Sequence, residues 1–256
     1  MDASDFIAVM DSGVGGISVL RELRRQLPRE RYLFYGDSAN APYGSRPTQQ
    51  VREMTMSAAD RLIGRGIKAL VLACNTATAV AADLLRQTYP DLIIIGVEPA
   101  LKPAADRFPG GRIGVMATEV TLRESKFAAL LSRYSHQCQV IKLPMPGLVE
   151  RIEHGKADAP ETEAFLRAAL SPYVGSLDAV VLGCTHYPFV KPALRRILGE
   201  EVALLDGGAG TARETRRRLA CGDLLYGGPG ELILENSSGD PAMLTLSQHL
   251  LELPFV

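Results

Sequence analysis

Short apolar runs alternate along the chain with longer segments in which apolar positions recur at helical spacing. This alternation predicts parallel strands joined by helices that cover both faces of a sheet. Strands are expected at Phe6–Met10, Arg31–Tyr35, Ala69–Ala73, Leu92–Ile95, Ile113–Met116, Cys138–Leu143, Ala179–Leu182 and Val202–Leu205, the last being the final core strand. Helices are expected at Ser18–Leu27, Thr48–Gly64 and around Glu161–Leu170. The tail holds a short apolar run at Glu231–Glu235 and an amphipathic segment at Leu244–Leu251.

The pattern also repeats. Ile7–Ser12 (IAVMDS) resembles Ile113–Thr118 (IGVMAT), 106 positions later. Leu70–Thr76 (LVLACNT) resembles Val180–His186 (VVLGCTH), and Leu92–Ala100 (LIIIGVEPA) resembles Val202–Gly210 (VALLDGGAG), both 110 positions later. Matched strand ends at nearly one offset predict an α/β fold of two similar lobes, each a mostly parallel sheet flanked by helices, related by pseudo-two-fold symmetry. The active site is expected between them, at the carboxyl ends of the strands. The first lobe is expected to comprise residues 1–98 plus 207–256 and the second residues 99–206, with crossovers at Glu98-Pro99 and Asp206–Gly210.

Composition narrows the function classes. The 256 residues are 46% hydrophobic and 22% charged, as in an ordinary globular protein. A formal net charge of −1 gives no general attraction to nucleic acid or to acidic membranes. The basic run Arg216-Arg217-Arg218 reads as a solvated helix face. No apolar run reaches membrane-spanning length, and the N-terminus has neither a basic n-region nor a long apolar h-region. The four cysteines (Cys74, Cys138, Cys184, Cys221) show no CxxC spacing, and the four histidines form no HxH or HxxxH pair. Neither a disulfide framework nor a zinc site is expected, which leaves reduced thiols in a cytoplasmic protein.

Two of those thiols stand out. Cys74 and Cys184 each sit where a buried strand ends, beside Asn75-Thr76 and Thr185-His186 respectively. A helix N-terminus, and for Cys184 a nearby histidine, would favour thiolate chemistry there, whereas Cys138 and Cys221 read as structural. Asp11-Ser-Gly-Val-Gly-Gly16 joins a strand to a helix, either as an anion-friendly turn or as a plain turn capped by Asp11 or Ser12. It is neither a Walker loop nor GxGxxG. Asp37–Gly44 reads as a tight Pro-Tyr-Gly turn with an exposed aromatic hydroxyl.

In order along the chain, MDSGVGGISVLREL, YGDSANAPYG, LACNTATA, GVEPALKPA, GVMATEVT, LGCTHYP and the late SSGDP resemble the glutamate racemase family. The resemblance covers about Phe6 to Pro241. It implies a cofactor-independent, metal-free isomerase that interconverts L- and D-glutamate and supplies D-glutamate for peptidoglycan. It further implies that Cys74 and Cys184 are the two acid/base thiols, assisted by Asp11 beside Cys74 and His186 beside Cys184. A further carboxylate matches best at Glu153 in PGLVERIE, with Glu150 close behind. Ser12, Pro42, Tyr43, Gly44, Asn75, Thr76, Thr118, Thr121 and Thr185 match positions that hold substrate. Two positions depart from the family pattern: Val120, where glycine or alanine is common, and Gly207, where serine is common. Oligomeric state leaves no mark in the sequence, and a homodimer stays open.

The chemistry suits the residues. Racemisation removes the Cα proton from one face and returns one to the other, so one thiol per lobe supplies a base and an acid on opposite sides. No lysine is placed to suggest a pyridoxal Schiff base. Three other readings stand beside this one. A racemase of the same superfamily acting on aspartate would differ in pocket size. A thiol hydrolase built on Cys184 and His186 leaves Cys74 and Asp11 without a role. A two-lobed amino-acid binding protein needs no cysteine pair.

Overall fold

The computed structural model describes residues 1–123 and 125–254. Residues 124, 255 and 256, which the expected lobe limits include, lie outside the described residues. Nine strands alternate with helices: β1 (Phe6–Asp11), β2 (Arg31–Gly36), β3 (Ile67–Leu72), β4 (Ile93–Gly96), β5 (Arg112–Ala117), β6 (Gln139–Pro144), β7 (Ala179–Leu182), β8 (Ala203–Asp206) and β9 (Glu231–Asn236). The helices are α1 (Ile17–Gln26), α2 (Thr48–Ile63), α3 (Asn75–Thr88), α4 (Leu101–Arg107), α5 (Glu119–Arg123), α6 (Ser125–Tyr134), α7 (Leu148–Glu153), α8 (Pro160–Leu170), α9 (Lys191–Leu198), α10 (Gly208–Cys221) and α11 (Pro241–Glu252).

The strands form two parallel sheets, in the orders β4-β3-β1-β2-β9 and β6-β5-β7-β8. Taken from its other edge, the second sheet runs β8-β7-β5-β6, the same order as β4-β3-β1-β2. The two halves thus share one topology, and among the described residues β9 is the single added strand. It pairs with β2 from Arg31↔Glu231 to Gly36↔Asn236, so the last strand in the chain is β9 rather than Val202–Leu205. Its half-buried, charge-flanked ELILEN run is typical of an edge, which is why the apolar pattern alone undervalues it.

Central strands are apolar because helices cover both of their faces; Ile7 through Met10 of β1 are fully buried. Helix α1 buries Ile17, Val19, Leu20 and Leu23 and sets Arg24 and Arg25 in its last turn, where they complement the helix dipole. Both α10 and α11 pack on α1, which returns the chain after β8 to the first sheet. On α10, Arg216, Arg217 and Arg218 are exposed, as expected. One apolar core includes Val9 and Leu20 from the first half and Leu148, Val180 and Tyr187 from the second, so the halves are joined by packing.

The sequence pattern does not reveal the charge in β3. Lys68 is fully buried, with Nζ 2.5 Å from Glu30 Oε2 and donating to the Ala3 and Leu224 carbonyls at 2.6 and 2.9 Å. Three acceptors match the three ammonium protons. The second Glu30 oxygen accepts the Tyr226 N–H at 2.9 Å, which ties the segment leading into β9 to the base of the sheet. Removing one member leaves the other charge buried and unpaired. Lys68→Ala is therefore expected to lower the unfolding free energy by about 3–5 kcal/mol in a urea titration. A loss below about 1 kcal/mol, typical of an exposed pair, would contradict this role.

Candidate active site

The carboxyl ends of β1, β3, β5 and β7 meet between the two sheets. β3 runs into Cys74, the N-cap of α3, whose sulfur accepts the Ala77 N–H at 3.5 Å. β7 runs into Cys184, at the matching position of the second half. The two thiols are 6% and 8% exposed and line one small cavity. Ser12, Pro42, Tyr43, Gly44, Asn75, Thr76, Thr118, Thr185 and His186 share its wall, so the structure brings these expected residues together. Val149 and Gly183 complete the lining and escaped the sequence reading.

Thr121, Asp11 and Glu153 stand behind the wall. Thr121 Oγ1 lies 3.0 Å from Thr118 Oγ1 and 3.3 Å from Thr76 Oγ1, while Thr76 and Thr118 are 3.3 Å apart. This triangle of hydroxyls spans the two halves. Val120 is half-buried to one side and leaves it intact. Asn75 Oδ1 is buried without a hydrogen-bond partner among the described residues, an acceptor that awaits a donor.

Asp11 is fully buried. Its Oδ1 accepts the Gly13 N–H at 3.0 Å and its Oδ2 accepts the Thr185 hydroxyl at 2.9 Å. No hydrogen bond joins it to Cys74, so it acts on that sulfur through its charge. Burial first, and then the Asp11 charge, push the Cys74 thiol up to about 12. Cys74 therefore rests as a thiol, 3.5 Å from the Ser12 hydroxyl.

The surroundings of Cys184 are different. Its sulfur lies 3.7 Å from His186 Nδ1, and His186 Nε2 lies 2.6 Å from Glu153 Oε1. Burial pulls the imidazole pKa down, but the bonds to Cys184 and Glu153 and the Glu153 charge outweigh it and raise it well above the usual value. Burial likewise favours protonated Glu153, yet the His186 bond and charge, with the Val14 N–H at 2.9 Å, hold it below the usual carboxylate range. Glu150 is exposed. Val149 and Glu153 are four residues apart on α7, which sets both toward the site; that spacing is the sequence signal for Val149.

The glycines of the Asp11–Gly16 loop have a steric reason. A Cβ at Gly13 would stand 2.0 Å from Glu153 Oε1, and one at Gly15 would stand 2.4 Å from His186 Nδ1. The anion at this turn is internal: it is the Glu153 carboxylate from the other half of the molecule. The N-cap of α1 is Gly16, which has no side-chain cap, while Asp11 caps the turn before it through the Gly13 N–H. Tyr43 also differs from expectation. Its hydroxyl is buried rather than exposed and donates to Asp37 Oδ2 at 2.6 Å, with Asn40 Nδ2 on both Asp37 oxygens at 3.1 and 3.0 Å. Deep packing of the turn against the cavity removes the hydroxyl from solvent.

Among the described residues no group of three or more His, Cys, Asp or Glu could hold a metal ion, and no helix is long and apolar enough to cross a membrane. Cys138 is buried away from the cavity and Cys221 is exposed at the end of α10.

The model of the Asp/Glu/Hydantoin racemase family matches residues 7–215. The chain is 46% identical to a glutamate racemase of Clostridium perfringens over 250 residues, 96% of each chain. Its fold matches the Thermus thermophilus glutamate racemase in complex with beta-chloro-D-alanine with a TM-score of 0.81 and 37% identity, covering 98% of this chain and 94% of that one. It also matches the Escherichia coli glutamate racemase in complex with L-glutamate and the activator UDP-MurNAc-ala, with a TM-score of 0.85 and 31% identity over 96% and 95%. A two-sheet α/β scaffold with a cavity between its halves and likeness over nearly the whole length establish that the chain belongs to the glutamate racemase branch of the Asp/Glu/hydantoin racemase family.

Proposed function

We propose that the protein interconverts L- and D-glutamate by cofactor-independent proton transfer at Cα between Cys74 and Cys184, supplying D-glutamate for peptidoglycan synthesis in the cytoplasm. The observation that carries this reading is one thiol from each half, at equivalent strand ends, on the wall of a single cavity. The cavity also suits an amino acid. The unpartnered Asn75 Oδ1 offers an acceptor to an ammonium group. The Thr76 and Thr118 hydroxyls on the wall offer donors to carboxylates, with Thr121 supporting them from behind. The lobes are proposed as residues 1–98 with 207–256, and 99–206; packing of α10 and α11 on α1 supports that division.

In this mechanism one sulfur, as thiolate, takes the Cα proton while the opposite thiol gives its proton to the other face of the carbanion. Atoms and charge balance, and the two sulfurs exchange protonation state with each turnover. With the Cys74 thiol pushed up to about 12, Cys74 is suited to start as the proton donor. When Cys184 bears negative charge, His186, held protonated by Glu153, lies 3.7 Å from that charge. When Cys74 bears it, the Ser12 hydroxyl and the Ala77 N–H are the donors at hand. Burial of the site strengthens each of these interactions.

Circular dichroism of L-glutamate during incubation with the protein should decay to zero, with L-aspartate unchanged. Loss of the aspartate signal alone would reassign the substrate. Cys74→Ser and Cys184→Ser should each slow racemisation by on the order of 10²–10⁴; near-normal turnover by Cys184→Ser would sink the two-thiol assignment. In deuterated water, early deuterium should enter the product enantiomer and little should enter the recovered substrate.

The electrostatics predict a pH effect. A raised His186 pKa stabilises the fold below the unfolded value of about 6.5, and that stability is lost as pH rises through the folded value. Glu153→Gln removes the charge that raises it. The alkaline limb of activity, and the alkaline loss of thermal stability, should both move to lower pH, as read from rate profiles and melting curves. A Glu153→Gln profile that overlays the parent's would refute the relay.

A further inference from the structure

The chain crosses between the two sheets twice, once after β4 at Val97–Ala100 and once after β8 at Asp206–Gly208. The crossovers touch. A Cβ on Gly207 would stand 2.4 Å from the Glu98 carbonyl oxygen and 2.7 Å from Val97 Cγ2, closer than side chains approach backbone. Gly207 has φ −80° and ψ −9°, a conformation open to any residue, so it is not there for backbone freedom. What it supplies is closeness. Val97 and Gly207 are themselves equivalent positions, 110 residues apart like the two cysteines, so this contact joins matching points of the repeat.

Each crossover is one step from a catalytic strand end. The Val97 N–H donates to the Leu72 carbonyl at 2.9 Å, two residues before Cys74. Asp206 pairs in register with Leu182, two residues before Cys184. Gly207 is fixed in turn, since its carbonyl accepts both the N–H and the hydroxyl of Thr211, at 2.9 and 2.8 Å. We propose that Gly207 is a positioning residue: its missing side chain lets the two crossovers meet, and that contact sets how far the lobes close and how far apart the two thiols stand. A serine side chain there would hold the crossovers apart in this chain.

The proposal rests on the two-thiol reading. Wedging the crossovers should leave one thiol in reach of Cα while the other falls short. Displacement of about 1 Å at a reacting centre costs on the order of 10²-fold.

The test measures kcat, KM and Cα deuterium uptake in deuterated water for Gly207→Ala and Gly207→Ser. Gly210→Ala is the control, since its new Cβ would meet only the Arg213 guanidinium at 3.8 Å. Both Gly207 variants should lose on the order of 10²-fold in kcat. Deuterium in recovered substrate should rise relative to deuterium in the product enantiomer, and Gly210→Ala should match the parent. Adding Val97→Ala to Gly207→Ala should restore part of kcat by removing the facing methyl groups. Parental kcat in Gly207→Ala, or an equal loss of exchange and racemisation, overturns the proposal. If Gly207→Ala does not fold, Val97→Ala alone loosens the same contact, and an unchanged exchange ratio there overturns it too. Failure of the underlying reading looks different: the parent protein itself would then neither racemise glutamate nor exchange its Cα proton.

Discussion

The Glu153 carboxylate is a largely buried anion whose two donors come from different halves of the molecule. Val14 N–H reaches it from the loop after β1, and His186 reaches it from the segment after β7. A largely buried carboxylate without such partners would be strongly unfavourable, so the Glu153–His186 pair and the seam between the halves support one another. Much of the site follows from that constraint. The loop after β1 is rich in glycine because Glu153 and His186 lie against its backbone. Ser18 reinforces the seam by donating to the Thr185 carbonyl at 2.8 Å. Thr185 crosses back to Asp11.

The scaffold is symmetric and its electrostatics are not. Equivalent strands place equivalent sulfurs, yet the charge next to Cys74 is an aspartate and the charge next to Cys184 is an imidazolium. A repeat can copy strand order cheaply because order depends on apolar pattern. The polar neighbours are set by individual residues in loops, where the two copies have diverged. Unequal surroundings suit the proposed two-base reaction, in which one sulfur gives a proton while the other takes one.

The strand pattern and its offset were readable because parallel strands are buried on both faces and leave long apolar signatures. Cys74, Cys184 and the lining residues were readable because they stand at the ends of those signatures, and ordered motifs matched a known family. What stayed hidden depended on contacts between distant segments. Lys68 looks like a surface residue until Glu30 and two carbonyls surround it. The Tyr43 hydroxyl looks exposed until Asp37 accepts it. Val149 is an ordinary aliphatic residue on an amphipathic turn, and only the closed cleft makes it part of a wall. β9 carries the weak pattern of an edge, and its partner lies some two hundred residues earlier.

That long-range pairing bears on how the molecule comes into being. Strands β5 to β8 form their sheet from one uninterrupted stretch of chain, whereas the first sheet takes its outermost strand from residues 231–236. Leu224 and Tyr226, which complete the shell around Lys68 and Glu30, leave the ribosome just ahead of it. The first half thus needs residues 224–236 to complete both its sheet and the acceptors of its buried ammonium group, whereas the second sheet needs only its own continuous stretch.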